Sequence, residues 1–98
     1  MSDRELTIRA TLSALRAFLG KVPPALRAVV ISVCKEGVEV RCYFDGPIRT
    51  TDSESVCVVE AEMMADFLPA SVAVRCIRCD APEPIKDDGL WIYFRRER

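Results

Sequence analysis

The spacing of apolar residues switches period along the chain, and each switch marks an element. Ile8, Leu12, Leu15 and Leu19 recur at helical spacing with Phe18 beside them, while Arg4, Arg9 and Arg16 fall outside the stripe. Ser2 and Glu5 have capping-box spacing, in which hydroxyl and carboxylate each satisfy an orphan amide of a helix start. Gly20 can take a left-handed stop, and Pro23-Pro24 prevents continuation. A helix is therefore predicted from about residue 3 to about residue 20, its leucine stripe turned to the core.

The period then shortens. Leu26 to Cys34 is β-branched and apolar, Lys35-Glu36-Gly37 is a short polar connection, and Val38, Val40, Cys42 and Phe44 alternate with Glu39, Arg41 and Tyr43. That is a β-hairpin whose second strand buries one face, ended by Asp45-Gly46-Pro47. Thr51 and Glu54 repeat the capping-box spacing. Val56, Val59, Met63 and Phe67 follow at helical intervals, with Cys57, Ala61, Met64 and Leu68 widening the face and Pro69 closing the helix. Two further strands are predicted at 72–79 and 90–94, joined by a polar connection that is long for a hairpin loop. The order is α-β-β-α-β-β, an α+β fold. Two helices packed on one face of a four-stranded, mainly antiparallel sheet bury every apolar stripe. Strand order is not readable, although a crossover through the second helix favours one parallel pair.

Composition changes this picture little. Ninety-eight residues fit one domain spanning 1–98, and 50% hydrophobic with 30% charged residues is a globular balance. No apolar run approaches the ~18 residues that span a bilayer, and the charged start shows no signal peptide, so a cytosolic protein is expected. The five cysteines are an odd number, which argues against a disulfide framework. Cys76 and Cys79 have CxxC spacing, but in a strand residues three apart point to opposite faces. With no histidine and no second CxxC there is no zinc set, and no metal or other cofactor is expected.

The missing histidine also removes the commonest general base and any Cys–His nucleophile pair. No nucleophile elbow or phosphate-cradling loop occurs, so no catalytic residue is assigned and a binding protein is expected. Two alternatives remain. Asp45, Asp52 and Asp80 could meet at one end of the sheet as a metal-dependent site, and the basic first helix with Arg95-Arg96-Glu97-Arg98 could serve a nucleic-acid-binding accessory domain.

Charge distribution says more than the net charge of −1. Residues 1–44 hold four acidic and seven basic side chains, whereas residues 45–94 hold ten acidic and four basic. An acidic second half repels nucleic-acid phosphates and attracts a basic protein. The candidate contact residues are Asp45, Asp52, Glu54, Glu60, Asp66, Asp80, Glu83, Asp87 and Asp88, with Trp91 or Tyr93 as an aromatic anchor. Trp91 and Tyr93 are expected on the same face of the last strand, because they alternate with Leu90, Ile92 and Phe94.

Five short islands, in order, resemble a known family. They are Leu26-Arg27-Ala28-Val29, Tyr43-Phe44-Asp45-Gly46, Ala65-Asp66-Phe67-Leu68-Pro69, Asp80-Ala81-Pro82-Glu83-Pro84 and Trp91-Ile92-Tyr93-Phe94-Arg95. The set is similar to small bacterial immunity proteins of contact-dependent growth inhibition and related polymorphic toxin systems, over about three quarters of the chain. The resemblance implies a cytosolic antitoxin that binds the C-terminal toxin domain of a large secreted protein. That toxin is often a basic nuclease, whose active site or substrate cleft the antitoxin blocks. Membrane binding and direct nucleic-acid binding are not expected.

Overall fold

The computed structural model describes residues 2–34, 37–66 and 71–97. The predicted Lys35-Glu36 connection and the Phe67, Leu68 and Pro69 at the end of the second helix lie outside these residues. The elements are α1 (Asp3–Phe18), β1 (Leu26–Cys34), β2 (Gly37–Phe44), α2 (Thr50–Asp66), β3 (Ser71–Arg78) and β4 (Leu90–Phe94). Their order and the α+β class are those the hydrophobic pattern predicts.

The sheet runs β3-β2-β1-β4. β1 is antiparallel to both β2 and β4, and β2 is parallel to β3, with α2 forming the crossover between them. The last two strands therefore do not pair with each other but occupy opposite edges, which explains the long connection. Residues 79–89 cross the sheet face that the helices leave open. Central β1 is buried on both sides, as its apolar stretch Ala28-Val29-Val30-Ile31 demands.

Two cores result. On the helix side, Leu26, Val29, Ile31, Val38, Val40, Cys42 and Phe44 pack against α1 and against Val56, Val59 and Met63 of α2. On the loop side, Ala28, Val30 and Tyr43 pack with Ile77, Cys79, Ile85 and Trp91. A register shift at Leu26/Ala28 breaks the β1–β2 alternation, and both Arg27 and Ala28 serve the loop side.

Helix α1 departs from expectation. The Ser2–Glu5 capping box is present, and Gly20 takes φ +76° after the helix ends. The predicted core stripe, however, faces outward: Ile8, Leu12, Leu15 and Leu19 are 52, 63, 44 and 74% exposed. The buried face is Leu6, Ala10, Ser13, Ala14, Ala17 and Phe18. Three alanines and a serine let the helix lie close against its neighbours, and close approach is set by small side chains, not by the largest apolar ones. Helix α2 begins two residues earlier than the predicted Thr51 cap implies, at Thr50. Its first turn is closed by the Ser53 amide donating to the Arg49 carbonyl, and Asp52 accepts from the Arg49 amide at 3.3 Å. The buried stripe is narrower than expected, since Cys57, Ala61 and Met64 are exposed.

Candidate protein-contact surface

The acids proposed from sequence fall into three groups. Asp45 and Asp80 form a reciprocal latch between two turns. Asp45 accepts from the Ala81 amide at 3.1 Å, and Asp80 accepts from the Gly46 amide at 2.7 Å. Arg95 also donates to Asp45, and Arg78 donates through two nitrogens to Asp80. Arg78 and the Gly46 amide hold the Asp80 carboxyl below its usual range. Gly46 sits at φ +85°, which its lack of a Cβ permits. The second and fourth sequence islands are thus two sides of one tie.

Asp52, Glu60, Asp66 and Asp87 are also committed inside the chain. Asp52 is buried at the start of α2. Glu60 accepts from the Val74 amide at 2.9 Å, covering a donor on edge strand β3. Asp66 accepts from the Ser13 hydroxyl and from Arg16, which lower its pKa in that order and tie α2 to α1. The Asp87 side chain is only 4% exposed. It accepts from Arg41 Nε at 2.7 Å and Nη2 at 2.9 Å, from the Tyr43 hydroxyl at 2.6 Å and from the Gly89 amide at 2.9 Å. Its own carbonyl accepts from the Trp91 indole at 3.0 Å. The Arg41 guanidinium, with help from Tyr43, holds the Asp87 carboxyl far below the usual range, and burial with this bond raises the Tyr43 phenol. Gly89 is required here. A Cβ at this position would meet Arg41 Nη2 and Val30 Cγ1 at 2.7 Å.

Among the described residues, no hydrogen bond or ion pair engages the side-chain carboxylates of Glu54, Glu83 and Asp88, and all three are exposed. Glu83 and Asp88 lie on the crossing loop, whereas Glu54 lies on α2. Asp45, Asp52 and Arg95 line one hollow at the end of the sheet, but protein donors occupy the carboxylates. Among the described residues, no group of three or more His, Cys, Asp or Glu is arranged to hold a metal ion.

The aromatic anchors separate. A register shift between Val29 and Val30 inserts Ile92 between Tyr93 and Trp91. Tyr93 therefore packs on the helix side and Trp91 on the loop side, correcting the expected pair on one face. Trp91 stacks edge-on against exposed Phe94, with ring centroids 5.3 Å apart. The Cys76–Cys79 pair is divided in the same way, Cys76 packing on the helix side and Cys79 on the loop side.

Sequence reasoning missed two features. Arg27 is buried, donating to both Glu97 oxygens and to the carbonyls of Cys79 and Glu83, so it pins the crossing loop and the C-terminal segment together. An arginine inside the apolar run of a central strand was the available signal. The outward stripe of α1 was signalled by the Ala10-Ala14-Ala17 face opposite it.

The molecule is thus a small helix-on-sheet protein with exposed Glu83 and Asp88 carboxylates on its crossing loop and an apolar helix exterior. The model of the MafI2 immunity protein family matches residues 7–97, and the chain belongs to that family. Membership implies a cognate toxin as partner. No curated protein matches the chain. Among the described residues, no helix is long and apolar enough to cross a membrane.

Proposed function

We propose that this chain is a cytoplasmic immunity protein that binds the C-terminal toxin domain, a nuclease, of a contact-dependent growth inhibition system and neutralises it by occlusion without catalysis. The family match over residues 7–97 carries this reading. The acidic second half supports the choice of a basic, phosphate-binding toxin, since opposite charge steers encounter. The contact surface is the loop-covered face. Glu83 and Asp88 supply free carboxylates there, Asp45 and Asp80 stand at its rim, and Trp91 with Phe94 supplies aromatic area. Asp52, Glu60, Asp66 and Asp87 serve the fold instead, and Tyr93 lies on the other side.

The test is co-expression with the toxin domain encoded beside this chain, scored by cell survival, together with calorimetry at low and high salt. Rescue and tight binding are expected. The double variant Glu83→Lys/Asp88→Lys is expected to bind at least tenfold more weakly and to lose salt sensitivity, with an unchanged circular dichroism spectrum. No rescue and no binding by folded proteins would sink the immunity reading. Unchanged affinity in the double variant would sink only the acidic surface.

A further inference from the structure

The outward stripe of α1 has no role in either core. Ile8, Leu12, Leu15 and Leu19 follow the four-three-four spacing of a seam between two helices. The stripe continues into a groove of about 210 Å³ between the end of α1 and β4, lined by Leu15, Phe18, Leu19, Val22, Ile92 and Tyr93. Leu90, also exposed, pairs with helix-side Ile31 and so stands on the same face of β4. A contiguous apolar surface of this kind is uncommon on a monomer.

The two edges of the sheet are treated differently. Edge β3 carries Arg75 and Arg78, and Glu60 covers its Val74 amide. Edge β4, Leu90-Trp91-Ile92-Tyr93-Phe94, carries no charge at all. Long or apolar edges without charged guards are templates for pairing with another strand.

We infer that this face is the interface of a homodimer, with β4 paired antiparallel to its copy and the two α1 stripes packed over the seam. A two-fold axis perpendicular to the sheet beside β4 gives an eight-stranded sheet and places both α1 helices on one side. That is the self-complementary arrangement a two-fold dimer requires. Arg9 and Arg16 line the α2 side of α1 beside Asp66, away from β4, and Lys21 is paired with Glu62. Ile8, Leu12, Leu15, Leu19, Val22 and Leu90, 44–74% exposed, supply much of the ~800 Å² per partner that a specific interface buries. A basic toxin is the poorer occupant, because the stripe offers it no carboxylate.

Sedimentation equilibrium of the chain alone, without toxin, tests this independently of the immunity reading. The wild type is expected at twice the chain mass at micromolar concentration and to stay so in 1 M salt. The Leu15→Glu/Leu19→Glu variant is expected to be monomeric, its dissociation constant raised at least a hundredfold, with unchanged circular dichroism because both side chains are already in solvent. Leu90→Lys, at the strand edge, is expected to weaken the dimer about tenfold. A wild type monomeric at every concentration overturns the proposal, and so does a dimer that survives the double leucine variant. A monomeric wild type whose leucine variant loses toxin binding overturns it as well, and gives the stripe to the toxin.

Discussion

On its helix side the sheet buries Phe44, Ile31, Val40, Val59 and Met63 with almost no polar atom among them, whereas on its loop side it buries Arg27 and half-buries Arg41 beneath a strand-length loop. The first face is held by transfer of apolar area from water, on the order of 25 cal/mol per Å². The second has few apolar neighbours and is held by charge-assisted bonds that converge on Arg27, Arg41 and Asp87. One tolerates changes of shape poorly and changes of pH well. The other does the reverse. A loop of eleven residues with Pro82, Pro84, Lys86 and two consecutive aspartates cannot bury enough apolar surface to pin itself, so its backbone carbonyls are used as acceptors for Arg27 and its one buried acid as the partner of Arg41.

The largest effect is expected on the helix side. Phe44 is fully buried, and Phe44→Ala is expected to cost about 3–5 kcal/mol through lost transfer energy and an unfilled cavity. Urea denaturation measures it. A loss under 1 kcal/mol would mean that the helix-side core is not tightly packed. On the loop side, Asp87→Ala leaves the Arg41 charge with Glu39 and Ser32 only, and about 3 kcal/mol is expected to be lost. The double variant Arg41→Met/Asp87→Leu should recover most of that loss, because an apolar pair needs no compensation. A double variant no more stable than Asp87→Ala would mean that Asp87 acts through Gly89 and Tyr43 rather than through Arg41.

Parts of this contrast were legible in the sequence. The β1–β2 hairpin was, because alternation of Val38, Val40, Cys42 and Phe44 with Glu39, Arg41 and Tyr43 specifies which face is apolar. The sequence also supplied the α1 cap, the α+β order and the existence of one parallel pair. The outward side of α1 was not legible, since ranking side chains by size favours leucine over the alanines that permit close packing. Nor was the split of Trp91 from Tyr93, because a single inserted residue reverses every face assignment beyond it. The roles of the acids were hidden for a different reason. Arg41 and Tyr43 stand 46 and 44 positions from Asp87, and only the strand order brings the crossing loop over them. Glu54, Glu83 and Asp88 look the same in sequence as Asp52, Glu60 and Asp87.

Acid should separate the two faces. Arg27 holds the Glu97 carboxyl down to about 2, and Arg41 holds Asp87 lower still. Both carboxyls are depressed relative to the unfolded chain, where they titrate near ~4. Their contribution is therefore complete above about pH 5 and is lost as pH falls through the range from ~4.5 toward 2. Trp91, the single tryptophan, reports on the loop face because its indole is bonded to the Asp87 carbonyl. Its emission is expected to shift before the helical signal at 222 nm declines. Coincident transitions would show that the two faces unfold as one cooperative unit.

The smallest effect is a difference in rate. Cys42 lies in the helix-side core, fully buried, and burial pushes its thiol up to about 12. Cys79 lies on the loop side, partly open, with its sulfur 3.6 Å from Arg27 Nη1. Thiolate is the reactive form, so a reagent must wait for whatever opening exposes each sulfur. If the crossing loop lifts without disturbing the helices, Cys79 is modified by a local opening and Cys42 only by global unfolding. Peptide mapping after timed alkylation at pH 8 should find Cys79 labelled well ahead of Cys42, with the gap narrowing in Asp87→Ala only if that substitution weakens both faces together. A gap that instead widens in the variant would mean that the Asp87 bonds hold the loop alone, and that the helix-side core stands without them.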